Sequence, residues 1–381
     1  MAQQQYQSCI EVCVRCTQQA LSALVTMGVL LLSLSGANAE DKANHVTIIP
    51  VPDRGHPLVA KADAEGMIHL LYGTADGPQY VKSSDKGKTF SPAIPVVDNA
   101  SRRPGLEFHA EDMVVGQSGR IHVAMSTNAW KLKLPENEWG FYYARLERRA
   151  KAFTPVRNIN NKPSEGFSLA ADDKGNVTAC WLSDKLFANV SHDNGKTFGP
   201  NVEINPAYNP CNCCTTSATY GADGKLAVLY REETKDERDM YLVLWEQARN
   251  QTSRSRISTT LWKINTCPMT YYTVTRAEHG FKAVWPTGEG YNIYFARLDQ
   301  KGNLLPPGEI KTPGKASHRT GMIALSRPDG GTLIAWTKDS QLGWQIYDAN
   351  GRALGSPGSA KSSGNGVAAV VDKEGHFFLF R

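Results

Sequence analysis

The sequence predicts an all-β protein: a β-propeller of four-stranded blades, seven in number, with six as the alternative if one repeat is counted wrongly. Three observations lead there. A glycine followed by a short β-rich strand recurs at Gly66, Gly119, Gly175, Gly224, Gly280, Gly331 and Gly375. Successive glycines lie 44 to 56 residues apart, the length of one four-stranded blade. Thirty-three glycines and twenty prolines in 381 residues, without a low-complexity tract or a sustained helical period, call for many turns between short strands.

Each element of the repeat can be followed along the chain. The strand after the glycine is mostly apolar, as in Met67-Ile68-His69-Leu70-Leu71-Tyr72 and Lys225-Leu226-Ala227-Val228-Leu229-Tyr230. The next strand is rich in aromatics, as in Phe141-Tyr142-Tyr143 and Tyr294-Phe295-Ala296-Arg297. The chain stops after the second strand of the seventh unit. That leaves His45–Pro50 to supply an outer strand to the last blade and close the ring, which protects edge strands.

Residues 21–35 are apolar and lead to Gly36-Ala37-Asn38-Ala39, the pattern of a signal peptide cleaved after Ala39. The expected organisation is a signal peptide at 1–39 and one propeller domain at 40–381, in a periplasmic or secreted protein with no stable membrane span after cleavage. The mature chain keeps Cys180, Cys211, Cys213, Cys214 and Cys267. A net charge of +5 with scattered Lys and Arg gives no nucleic-acid footprint. The partners expected are small-molecule, glycan or protein ligands at the propeller mouth.

Two of the aromatic strands run into Ser-x-Asp-x-Gly-x-Thr-Phe: Ser83, Asp85, Gly87, Thr89, Phe90 and Ser191, Asp193, Gly195, Thr197, Phe198. Asp can accept bonds from turn amides and Gly can take positive φ, so the pattern suits a hairpin turn. It resembles the Asp-box, or BNR repeat, of exported propellers in the sialidase superfamily. The likeness covers essentially residues 45–381. The Cys211-x-Cys213-Cys214 segment followed by Trp262–Pro268 looks like a subgroup of these proteins. The box is a scaffold turn, so the likeness speaks to fold before activity.

In a propeller the residues just before each innermost strand converge at one mouth of the central channel. Here they are His56, His109, Glu165, the Cys211–Cys214 segment, Cys267-Pro268-Met269, His318-Arg319 and Ser363-Gly364-Asn365. Two readings follow. In one, the mouth binds a ligand through His56, His109, Glu165, His318 and Arg319, or a metal through those histidines with Cys211, Cys213, Cys214 and Cys267. Imidazole and thiolate suit copper or zinc, and Met269 would be a further soft ligand. In the other, the cysteines are staples: Cys213 or Cys214 pairs with Cys267 between blades, and Cys211 with Cys214 closes a tight loop. Cys180, beside Trp181 in a strand, reads as a small buried hydrophobe.

The resemblance also implies an alternative activity, a sialidase-like exo-glycosidase acting on glycans with an acidic sugar. Such enzymes clamp a carboxylate with three arginines, attack through a Tyr–Glu pair and use an aspartic acid as acid/base. The matching positions are Arg54, Arg231 and Arg319, with Asp53 or Asp112 as acid and Tyr271 or Tyr272 as nucleophile. The Pro52-Asp53-Arg54-Gly55-His56-Pro57 segment departs from the family's first-arginine motif, which puts that assignment in doubt.

Overall fold

The computed structural model describes residues 46–381. The expected signal segment and Cys9, Cys13 and Cys16 lie outside them. The described residues form seven sheets, six with four antiparallel strands in chain order and one with three. This is the seven-bladed propeller expected from the repeat. The innermost strands are His56–Ala62, Phe108–Val115, Glu165–Ala171, Thr216–Tyr220, Thr273–Ala277, Met322–Ser326 and Ala368–Val371. Each touches the next, and the seventh touches the first. We number blades 1 to 7 in that order. Among the described residues the helical pieces are three-residue turns, and no helix is long and apolar enough to cross a membrane.

The apolar second strands are explained by the seams. The buried core falls into seven clusters, one between each pair of neighbouring blades. Side chains alternate across a strand, so each second strand feeds two seams at once. Leu70 packs against blade 7 and Leu71 against blade 2. Cys180 packs toward blade 4 and Trp181 toward blade 2, both fully buried. A sheet buried on both faces needs a continuous apolar run, not an alternating one.

Closure uses Val46–Ile49 as expected, with a direction that the sequence leaves open. This strand pairs in parallel with Phe377–Phe380, Val46 opposite Phe377 and Ile49 opposite Phe380. The short segment after Ile49 must deliver the chain to the start of His56–Ala62 at the mouth. Only a strand running toward the mouth can do so, and Phe377–Phe380 runs the same way. Backbone bonds from Val51 N–H to the Arg381 carbonyl (2.8 Å) and from Arg381 N–H to the Ile49 carbonyl (3.0 Å) lock the joint.

The two Ser-x-Asp-x-Gly-x-Thr-Phe segments are matching turns on the face opposite the mouth. In each, the serine hydroxyl donates to the aspartate at 2.7 Å and accepts from the glycine amide, at 2.9 Å in blade 1 and 2.8 Å in blade 3. The threonine amide donates to the same aspartate at 2.9 Å. The closing aromatic reaches the preceding blade: Phe90 packs edge-on against Phe380, and Phe198 against Tyr143. His69 and His122, in second strands, are buried packing residues, each 2.6 Å from the hydroxyl of Tyr80 or Tyr143.

Candidate functional site

The mouth is built from the segments entering each innermost strand and from the loops joining second to third strands. Most of those loops are short. In blade 2 the loop spans 128–141 and carries Trp130 and Trp139 over the channel. Beneath it lies a cleft of about 890 Å³ spanning blades 2 to 6, from His109 to Arg319.

Local irregularity aims the side chains. Blades 1, 2 and 3 each carry a bulge in the innermost strand near the mouth, after Pro57, Ala110 and Glu165. A bulge redirects a side chain from the seam. In blade 2 the extra residue is Glu111, whose carboxylate accepts from the Ser126 hydroxyl at 2.5 Å. In blade 3, Gly166 takes φ +66, and a Cβ there would lie 2.7 Å from the Cys214 carbonyl. Only glycine lets the start of this strand approach the cysteine loop so closely, with Glu165 beside it.

Glu111, Glu165, Tyr271 and Arg319 form the charged centre of the cleft. Burial pushes the Glu111 carboxyl above its ordinary value, opposed by the Ser126 bond and the Arg319 charge, with Asp112 and Glu165 adding to the rise. Glu111 is walled in by protein yet still touches solvent. Burial likewise raises Glu165, and Arg319 opposes it. The Tyr271 hydroxyl is pushed up to about 12 by burial and the Glu111 charge, against the pull of Arg319. Arg319 itself takes φ +54, and its N–H donates to the Met269 carbonyl at 2.9 Å, joining the entry segments of blades 5 and 6.

The other sequence candidates are dispersed. His109 lines the cleft and lies 3.6 Å from Glu107. It also borders a smaller cleft of about 470 Å³ with His56. The His56 ring sits hard against Gly73, where a Cβ would meet it at 2.3 Å. His318 pairs with the Tyr291 hydroxyl at 2.8 Å, and Tyr291 packs edge-on against Trp262. Arg54 is exposed, next to Asp53, whose carboxylate accepts from Tyr72 at 2.6 Å. Arg231 is fully buried, donates to the Arg238 and Pro286 carbonyls and lies 4.8 Å from the Trp262 ring centre. Tyr272 is buried, its hydroxyl donating to the Thr215 carbonyl and accepting from Arg231 N–H. Of the arginine trio, Arg319 alone lines the cleft. Asp112 bonds across a seam to the Leu169 amide at 2.9 Å.

Cys213 and Cys267 are disulfide-bonded between the entry segments of blades 4 and 5, while Cys180, Cys211 and Cys214 are free and buried. The sulfurs of Cys211, Cys213 and Cys214 lie within 4.8 Å of one another. Among the described residues, His56, His109 and His318 belong to no such group. With Cys213 bonded, the group offers two thiols, and Arg238 Nη1 lies 3.0 Å from the Cys211 sulfur. Burial raises the Cys214 thiol, but the bond from Cys211 and the Arg231 charge outweigh it and bring it down to about 6. Guanidinium neighbours of this kind suit an anionic sulfur better than a metal dication.

Sequence reasoning missed Glu111, Trp130 and Trp139. The tryptophans had a readable signal, the long polar-and-aromatic insertion between the second and third strands of blade 2. Glu111 had none, because its orientation comes from the bulge.

No protein-family model matches the chain, and no curated protein matches it. Solved structures similar to it include a Penicillium chrysogenum alpha-L-arabinanase complexed with arabinobiose, at 16% identity and TM-score 0.49, covering 84% of this chain and 98% of that one. A GH93 alpha-L-arabinofuranosidase of Fusarium graminearum with arabinobiose shares 12% identity at TM-score 0.46, covering 84% and 97%. The SapL1 lectin in complex with alpha methyl fucoside shares 12% at TM-score 0.44, covering 68% and 84%.

Proposed function

We propose that the axial cleft binds a carbohydrate, and that the chain is an exported Asp-box propeller of the sialidase superfamily. The observation that carries the binding reading is the meeting of Glu111, Glu165 and Arg319 in one cleft beneath Trp130, which is 59% exposed. Sugars offer hydroxyl arrays to paired donors and acceptors and apolar ring faces to indole. Carboxyls with raised pKa can donate as well as accept, and Arg319 adds a hold for an acidic substituent. The two matching Ser-x-Asp-x-Gly-x-Thr-Phe turns support the superfamily reading, and the interblade disulfide supports export to an oxidising compartment.

The mature chain, screened on a glycan array and then by calorimetry, is expected to bind at least one glycan. Arg319→Ala and Trp130→Ala should each weaken that binding roughly tenfold or more, about 1.4 kcal/mol, without lowering the unfolding midpoint. No glycan bound, or binding by both variants equal to that of the wild type, would sink the reading.

A second reading, exo-glycosidase chemistry, is favoured by Tyr271 lying beside Glu111 and Arg319. A nucleophilic phenol needs a neighbouring base to take its proton, and Glu111, which lines the same cleft, is the candidate. Release of fluorophore from a panel of glycosides, sialosides included, and its loss in Tyr271→Phe, would establish it. A panel that is inert throughout would rule it out.

A further inference from the structure

The four mouth cysteines lie in one place, independently of any ligand in the cleft. Cys213 and Cys267 are bonded, their Cα atoms 6.2 Å apart. The Cys211 sulfur lies 3.6 Å from that of Cys213 and 3.2 Å from that of Cys214. Thiol–disulfide exchange brings a thiol sulfur, once deprotonated, against one sulfur of a disulfide, and the Cys211 sulfur already touches that of Cys213. Cys211 and Cys214 are also spaced to bond each other. The Cys214 amide donates to the Cys211 carbonyl at 2.9 Å, so the backbone between them is already a tight turn.

The surroundings favour exchange over metal capture. Arg238 Nη1 faces Cys211 at 3.0 Å. Arg231 is held behind the pair by its bonds to the Arg238 and Pro286 carbonyls, at 2.6 and 2.5 Å. Two anchored cations stabilise a thiolate, which is the attacking species, and repel an incoming dication. Cys213 and Cys214 both line the cleft, so the unit has an open side.

We infer that Cys211, Cys213, Cys214 and Cys267 form one redox unit with two disulfide arrangements, in which the Cys211/Cys214 dithiol opens the Cys213–Cys267 staple. The bond to Cys214 and burial hold the Cys211 thiol well above its ordinary value. In the first step Cys211 therefore passes its proton to the Cys214 sulfur and then attacks the Cys213 sulfur as a thiolate beside Arg238. Cys214 gives that proton up before the second step. The Cys211–Cys213 bond forms, the Cys213–Cys267 bond breaks, and Cys267 leaves as a thiolate that takes up a proton. In the second step the Cys214 thiolate attacks the Cys211 sulfur. The Cys211–Cys214 bond forms, and Cys213 leaves as a thiolate and is protonated. Two thiols and one disulfide enter and two thiols and one disulfide leave, so no outside oxidant or reductant is consumed. The second arrangement releases the entry segment of blade 5 from that of blade 4 and places the Cys213 thiol on the cleft wall.

The test uses the full chain equilibrated in dithiothreitol buffers from reducing to oxidising, acid-quenched, alkylated and mapped by mass spectrometry. Molecules holding one disulfide are expected to divide between Cys213–Cys267 and Cys211–Cys214. In Cys211→Ser the one-disulfide form should be Cys213–Cys267 only, with Cys267 alkylation lost. In Cys214→Ser exchange should stop at Cys211–Cys213, which gives an independent readout if the first variant folds poorly. The inference is overturned if the wild-type one-disulfide form is Cys213–Cys267 alone. It is also overturned if Cys267 is alkylated equally in wild type and Cys211→Ser, or if all four thiols are found holding stoichiometric copper or zinc.

Discussion

The carboxylate of Asp112 accepts a hydrogen bond from the backbone amide of Leu169 at 2.9 Å, tying the innermost strand of blade 2 to that of blade 3. Its other oxygen accepts from the Met113 amide at 2.8 Å. The neighbouring Glu111, displaced by the bulge, turns to Ser126 and the cleft instead. One irregularity therefore gives two adjacent acids separate tasks, one holding a seam and one facing a ligand.

Removing the seam acceptor should be costly. Asp112→Ala leaves the Leu169 amide without its partner, at about 1–3 kcal/mol. Asp112→Asn keeps an acceptor oxygen and should lose clearly less. Urea unfolding of both variants checks this. Equal losses would assign the stabilisation to the Asp112 charge, which Lys61 faces, and not to the hydrogen bond.

The buried acids also set a pH dependence. Burial raises the carboxyls of Glu111, Asp112 and Glu165 above their ordinary values in the folded chain. Above the unfolded carboxyl value of about 4, the unfolded chain has already released these protons while the folded chain still holds them. The folded state then binds more protons, so their contribution to stability is present at low pH and is lost as pH rises through the folded values. Glu111→Gln should flatten the fall in unfolding midpoint between pH 4 and pH 7. A slope unchanged in that variant would place the effect on the other two acids. Asp85 and Asp193, in the two Ser-x-Asp-x-Gly-x-Thr-Phe turns, are shifted the opposite way, so their titration lies below this window.

The two Ser-x-Asp-x-Gly-x-Thr-Phe turns should behave as scaffold. Ser191→Ala removes the acceptor for the Gly195 amide and the donor to Asp193, and Ser83→Ala removes the same pair of bonds in blade 1. Each should cost about 1–2 kcal/mol in chemical unfolding. Neither should change glycan affinity, because both turns sit on the face opposite the cleft. An affinity change without a stability change would contradict that separation.

Much of this architecture was legible because it repeats. The Gly-strand period marks the blades, the unbroken apolar strands mark two-sided burial, and the spare Val46–Ile49 strand marks the closure. The candidate site was legible only as a level in the fold. Spacing alone brought Glu165 and Arg319 to the mouth, and Tyr271 came only from the family resemblance; spacing also brought His56 and His318, whose rings turn to Gly73 and Tyr291. Which way a side chain points at a strand end depends on bulges and on left-handed residues such as Arg319, and neither carries a periodic signal. Arg231 shows the converse. A charged residue after an apolar strand reads as solvent-facing, yet its two Nη groups donate inside to two carbonyls, and the guanidinium lies over the Trp262 face.

The closing strand offers a test by coupling. Gly87, in the blade 1 box turn, has φ +79, and a Cβ there would lie 2.4 Å from Ile49 Cδ1 in the closing strand. Gly87→Ala should therefore be destabilising for two separable reasons. The left-handed backbone costs an alanine about 1–2 kcal/mol whatever its neighbours. The collision with Ile49 adds to this, and Ile49→Val removes the colliding Cδ1 while keeping the strand β-branched. In a double-mutant cycle read by urea unfolding, Gly87→Ala should cost less in the Ile49→Val background than in the wild type. A coupling of about 0.5 kcal/mol or more is expected for residues in contact. A cycle that closes at zero would mean that the turn and the closing strand do not meet.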